Sequence, residues 1–427
     1  MSMTNYFKQL SLLSLILFAA ALFTAAQTTK FAAPRQEKLL NNMKLLMWNE
    51  PAAEKVSVKL RIHSGAAFDT LDKEGTMAML ADILFPNESV KEFFSEDLGG
   101  SLSVESNYDF IQISATGNSD QILTVLETIA TAVTKPTIDK ETTAKVRAVR
   151  LARIKELEKN PAYIADLAVA RRLFGSYPYG RSAEGTAESL AKLDFADILL
   201  AKQRFLTADN ATLAVSGNVK ADYVFKAVRQ LFGGWEKADK KIPATFAQPN
   251  APVAEMLFVD SAIENAGEFR YAFRSLARND KDFFAAQILT KILQSRLQTN
   301  KPNAFARQDA RLLPGYVIIG YRENGIERES NPAKLPMAAM GDVGDLLKSS
   351  IETAEFERAK SNLQIDFDRK NVLDSWLDAE TYKIASVKAD RLNLQNVSLA
   401  EVQRNAERWK KEPPAKILVL TKQPTDK

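Results

Sequence analysis

Cysteine is missing altogether, and histidine occurs once, as His63, in a chain of 427 residues. The first absence excludes disulfides, thiolate metal sites and cysteine nucleophiles. The second leaves no histidine pair for a zinc site and no spare imidazole for a conventional His-based hydrolase. An excess of one charge is missing too: the formal net charge is +4, without the concentrated basic stripe of a dedicated nucleic-acid binder. At 46% apolar and 26% charged residues the composition is that of a globular protein, and the length implies two domains rather than one core.

Residues 1–26 read as a secretory signal. Lys8 precedes a largely apolar run, Leu10–Phe23, and the small residues Thr24, Ala25 and Ala26 follow, so cleavage is expected after Ala26. Removing them takes away one cation and no acid, giving +4 − 1 = +3. With no cysteine after the run a lipoprotein is excluded. The expected location is outside the cytoplasm, with the periplasm first. The alternative is an uncleaved membrane anchor, for which the run is somewhat short.

Along the chain, Val56, Val58, Leu60 and Ile62 alternate with Ser57, Lys59, Arg61 and His63, the pattern of a half-buried strand with His63 on its polar, solvated face. Met77, Leu80 and Leu84 fall at helical spacing after a polar turn at Asp72–Gly75. Ile122, Leu126, Ile129 and Val133 make a second helix, and 139–158 a long charged one. Asn160-Pro161 restarts a helix reaching Phe174, and Ala211–Val215 reads as a strand before a helix to Phe232. Residues 237–255, with three prolines and no periodicity, form a linker. Beyond it come strands at MLFVD and FRYAFRS, a helix from Asn279 to Leu297, a strand at Tyr316–Tyr321, helices near 332–349 and 353–388, and a closing strand Lys416–Thr421. Strands, helix, strand, helices and final strand recur in both halves. The fold class read from this order is α+β, two domains (36–236 and 256–423), each a mostly antiparallel sheet covered by helices.

The stretch LDKEGTMAMLADILF, 71–85, resembles the zinc-binding helix of the pitrilysin, insulysin and mitochondrial processing peptidase family. There an H-x-x-E-H run carries two zinc-binding histidines and a glutamate that activates the bound water. The matching positions here are Ala78, Ala81 and Asp82. RIHSGAAFD resembles the segment before that helix, DLGGSLSVES the family's L-G-G edge strand, and NPAYIADLAVARRLFGSYPYGRSAEGTAESLAKL its helix, HPYG-type turn and G-T-x-E-S segment. FLTADNATLAVSGNV resembles the close of the first domain, and LTKILQSRL an L-x-S-R-L helix of the second. The resemblance spans nearly the whole chain after residue 26 and implies two such domains forming a clamshell.

It also implies where function would lie. The family's third zinc ligand, a glutamate on the long helix, aligns with Arg153, or with Ala152 after a one-residue slip; Asp82 is then a lone exposed or capping acid. Zinc needs about three liganding side chains, so no metal, cofactor or catalytic residue is expected. The family holds substrate as an added β-strand, helped by an Arg and a Tyr of the second half. Tyr316 matches the tyrosine, while Arg307 and Arg311 bracket the arginine. The function implied is a non-catalytic subunit that helps bind peptide for an active zinc-peptidase partner. The alternative is a stand-alone peptide-binding or scaffold protein; a peptidase active by itself is disfavoured by the missing ligands.

Overall fold

The computed structural model describes residues 32–238, 246–247, 249–253, 255–261, 267–322, 344–347 and 350–421. The expected signal segment 1–26 lies outside the described residues, as do most of the expected helix at 332–349 and part of the linker. No helix among the described residues is long and apolar enough to cross a membrane.

In the first half, strands β1 (Arg35–Lys38), β2 (Lys44–Asn49), β3 (Lys55–Ile62), β4 (Ser101–Ser106), β5 (Ile111–Asn118) and β6 (Ala211–Gly217) form one sheet. Its order is β1-β2-β6-β3-β5-β4. The helices of this half are α1 (Thr76–Ile83), α2 (Ser89–Glu96), α3 (Ile122–Thr134), α4 (Lys140–Leu157), α5 (Pro161–Phe174), α6 (Ala187–Lys192), α7 (Phe195–Phe205) and α8 (Ala221–Phe232). In the second half, β7 (Met256–Ser261), β8 (Gly267–Arg274), β9 (Phe305–Gln308), β10 (Tyr316–Arg322) and β11 (Ala415–Thr421) form a sheet of order β7-β11-β8-β10-β9. Its helices include α9 (Phe283–Gln298), α10 (Thr353–Arg369), α11 (Val372–Thr381), α12 (Val387–Asn396) and α13 (Leu399–Lys411).

Apart from β1, the two sheets share one topology. The first and last strands of each, β2 with β6 and β7 with β11, pair in parallel, and every other pair is antiparallel. The coarse repeat of the sequence is therefore a repeat of strand order. The strand expected at Tyr316–Tyr321 is β10, and the earlier part of that segment forms a separate antiparallel strand, β9, with Pro314 and Gly315 in the turn between them. One expectation is corrected. The single helix over 353–388 is three: Asn371 caps α11 after the α10 break, and Lys383, at φ 59°, with the Ser386 cap separates α12.

Each sheet buries one face under helices of its own half and receives a helix of the other half on the opposite face. Leu80, Ile83, Leu126, Ile129, Val224 and Val228 pack under the first sheet with Val58, Leu60 and Ile113. On the other face, Leu373 and Leu377 of α11 lie against Leu46, Trp48 and Ala214. Reciprocally, Ala165, Val169 and Leu173 of α5 pack against Ala272, Ile318, Ile417 and Val419 of the second sheet. A buried arginine marks each crossing. Arg61 of β3 donates to Gln112 at 2.7 Å and to Asp378 of α11 at 2.5 Å, over the Phe110 ring at 3.9 Å. Arg270 of β8 donates to Asp166 of α5 at 2.7 Å and to Glu268 at 2.8 Å, over the Phe305 ring at 5.0 Å. Such charges are tolerated inside only because every one is paired.

His63 belongs to this junction and is not solvated as its strand pattern suggested. One ring nitrogen lies 3.0 Å from the Thr381 hydroxyl of α11, the other 2.9 Å from that of Thr212. Helix α11, which the strand alternation could not foresee, covers the face His63 points toward. Burial, then the charges of Arg61, Lys383 and Lys44, pushes the imidazole well below its ordinary 6.5. The unfolded chain therefore takes up a proton near pH 6.5 that the folded chain refuses, so stability falls as pH drops below that value. Between pH 7 and 5.5 the wild type should lose about 1 kcal/mol more than His63→Gln, measured by urea unfolding. Parallel pH profiles would show that the imidazole is protonated in the fold.

Candidate functional site

Helix α1 starts where Gly75, at φ 92°, turns the chain into it; a side chain there would meet Leu190 and the backbone of Glu184 and Gly185 at about 3 Å. The buried Asp69 carboxylate accepts from the first free amides, Gly75 N at 2.8 Å and Met77 N at 2.9 Å. Burial raises the Asp69 carboxyl to about 7 against the pull of those amides and of Arg181. The helix is thereby fixed against α4 and the segment leading to α6.

At this junction the side chains resembling zinc-site positions come together. Ala78 and Ala81 are each 1% exposed. The residue facing them from α4 is Arg150, 3% exposed at its side chain. Its guanidinium reaches Asp82 at 2.6 Å and Glu184 at 2.6 Å, and donates to the Ala78 carbonyl at 3.2 Å. Asp82 is consequently neither a free surface acid nor a cap. Burial raises its pKa, and Arg150 opposes that rise.

Arg153, expected at this place, is corrected to Arg150. Thr143, Val146, Arg150 and Ile154 form the buried stripe of α4, whereas Arg153 falls on the outer face, its side chain 59% exposed and 3.3 Å from Glu184. The signal was in the sequence: one turn back from the apolar Ile154 lies Arg150. Two alanines, one acid and a buried guanidinium do not fit a zinc ion, whose charge the arginine would repel. Among the described residues no group of three or more His, Asp or Glu side chains is placed to hold a metal.

The second constellation lies on β9, β10 and their connection. Arg307 is 45% exposed and pairs with Asp166 of α5 at 2.7 Å. Tyr316 is half-buried, its ring 5.9 Å from that of Phe174, and its hydroxyl has no hydrogen-bond partner among the described residues. Burial raises the phenol, and the charges of Arg311 and Arg307 pull it back. Arg311 has become part of the junction between halves. It pairs with Asp309 at 3.2 Å and lies over the Tyr108 ring at 4.8 Å.

Sequence reading missed what clasps this connection. Tyr179 donates to Asp109 at 2.6 Å, Leu312 N donates to Asp109 at 3.2 Å, and Leu313 N to the Tyr179 oxygen at 3.0 Å. No periodicity links residues 70 and 200 positions apart, so only the Y-P-Y-G turn hinted at it. Beside the clasp runs a cleft of about 740 Å³ between β4 and residues 308–311, with Lys59, Glu105, Gln112, Arg311 and Tyr382 among its walls. Arg311 lines it; Tyr316 and Arg307 do not. Strand β4 is an edge strand, as its L-G-G resemblance implied, and its outer edge is unpaired among the described residues.

Among known proteins, the family model described as Insulinase (Peptidase family M16) matches residues 44–187, and that described as Peptidase M16 inactive domain matches residues 192–311. The "Uncharacterized zinc protease YmxG" of Bacillus subtilis is 22% identical over 206 residues, 47% of this chain and 50% of that protein. The "Non-peptidase homolog YmxG" of Helicobacter pylori is 23% identical over 179 residues, 40% of each. The chain spans about half the length of the curated relatives it matches. Among solved structures, a protease from Helicobacter pylori has the same fold, with a TM-score of 0.79 at 16% identity over 91% of this chain and 100% of that one. From the two matched models, taken with the two-sheet architecture, the chain belongs to the insulinase, or M16, peptidase family.

Proposed function

We propose that this chain is a non-catalytic member of its family, exported from the cytoplasm, which helps hold peptide for a zinc-bearing partner of the same family. One observation carries the reading: the guanidinium of Arg150 fills the space between Ala78, Asp82 and Glu184, where the family resemblance puts the metal. The name of the Helicobacter relative, a non-peptidase homolog, supports it. The edge of β4, unpaired among the described residues and beside a polar cleft, supports peptide holding, since an extended peptide satisfies such an edge by adding a strand.

Tyr316 and Arg307 are the residues proposed to reach shared substrate. Tyr316 has a hydroxyl to offer, and Arg307 is half-exposed and already oriented by Asp166. Affinity capture of the mature chain from its native envelope should recover a relative with an intact H-x-x-E-H run. Recovery of this chain alone would favour a stand-alone binding or scaffold protein instead. In the reconstituted heteromer, Tyr316→Phe should lower turnover on the order of 10²-fold with assembly intact, as for loss of a transition-state donor. Arg307→Ala should act in the same direction, whereas Arg311→Ala should first weaken the junction, read as a lower unfolding midpoint. Wild-type turnover in Tyr316→Phe and Arg307→Ala would leave the second half as scaffold.

A further inference from the structure

The two sheets differ at one edge. In the first, β1 pairs outside β2, and Leu45–Trp48 of β2 are buried. In the second, no strand among the described residues pairs outside β7, and Met256, Leu257, Phe258 and Val259 are all left half-exposed. Leu257 and Val259 form one wall of a groove of about 490 Å³ whose other wall is α5, through Ile164 and Leu167. Arg171 stands at one end and Glu158 lines the other, before α5 begins. Neither has an ion pair among the described residues. The wall is held in place: Arg172 donates to the carbonyls of Val253 at 3.2 Å and Glu255 at 3.0 Å, tying the approach to β7 onto α5.

An apolar trough with a sheet-edge strand on one side, a cation at one end and an anion at the other fits a ligand of the opposite polarity. From Pro161, the first residue of α5, to Arg171 is about 15 Å along the helix, and Glu158 precedes it. An extended chain advances about 3.3 Å per residue, so about five or six residues span the distance between the two charges. We propose that this groove binds a short free peptide of about six residues, apolar in its middle, with its carboxylate on Arg171 and its amino group toward Glu158. Free ends set this occupant apart from a passing strand of a longer chain, which would bring no terminal charges. The site is separate from the Arg150 junction and from Tyr316, and stands whether or not either takes part in peptide handling.

Calorimetric titration of the purified chain with Leu-Val-Ala-Ala-Val-Leu, its N-acetyl form and its C-terminal amide tests this. The free peptide should bind saturably, and amidation should weaken it about tenfold, the scale of one charge-assisted contact. Arg171→Gln should weaken the free peptide similarly and no longer distinguish acid from amide. Glu158→Gln should abolish the preference over the N-acetyl form. Both residues are exposed, so an unchanged unfolding midpoint confirms the fold of each variant, and Tyr316→Phe should bind as wild type. Equal binding of free and capped peptides within twofold, discrimination persisting in Arg171→Gln, or no saturation up to millimolar peptide would each overturn the proposal.

Discussion

Arg150→Ala should destabilise the first half by about 3 kcal/mol, lowering its unfolding midpoint by roughly 6–12 °C. The substitution removes the shared partner of Asp82 and Glu184, leaving two carboxylates that face each other across an emptied space. It also strips the Ala78 carbonyl of its side-chain donor. A fully buried pair would cost more; Asp82 and Glu184 keep 36% and 23% of their side-chain surface, and water screens part of the loss. Arg153→Ala, on the outer face of the same helix, should change stability by no more than about 0.5 kcal/mol. Adding Asp82→Asn and Glu184→Gln to Arg150→Ala should recover much of the loss, because the repulsion goes with the charges. Calorimetric unfolding of the four proteins separates these outcomes, and equal effects at 150 and 153 would reverse the assignment.

Rebuilding the zinc helix should fail until Arg150 is also replaced. Ala78→His, Ala81→Glu and Asp82→His together insert two large side chains at positions 1% exposed and deprive Arg150 of one of its two acids. Overpacking alone costs about 1–3 kcal/mol per site, so this triple variant should be less stable than wild type and bind zinc poorly. Adding Arg150→Glu removes the repelling cation, makes room and supplies a third ligand. Zinc affinity should then rise on the order of tenfold or more over the triple variant. The same fourth change at Arg153 should do little, since that side chain points outward. Competition titration against a chromophoric chelator gives both affinities; a larger gain from Arg153→Glu would mean that α4 is rotated from the orientation described.

Much of the fold was legible because the local signals agree with the global ones. Asn160-Pro161 starts α5 with its cap and N1 proline, and the alternation of Val56–Ile62 is a strand with one face in the core. The alanines at 78 and 81 and the acid at 82 are placed by sequence alone, since they lie on one short helix with a recognisable turn ahead of it. What crosses between the halves could not be read that way. His63 looked solvated because α11, more than three hundred residues later, supplies its cover, and Arg311 looked available because Tyr108 and Tyr179 lie on segments unrelated to it by any period. The misplacement at Arg153 is of another kind. A helix fixes which residues share a face, and counting by turns from Ile154 rather than by alignment to Pro161 gives Arg150.

The most direct test is to purify the chain, dialyse it against trace zinc, and measure bound metal together with cleavage of a fluorogenic peptide library. On the proposal that Arg150 stands where the family's metal would sit, the expected result is no stoichiometric zinc and no cleavage that a chelator abolishes. One zinc per chain with chelator-sensitive cleavage by the chain alone would contradict it.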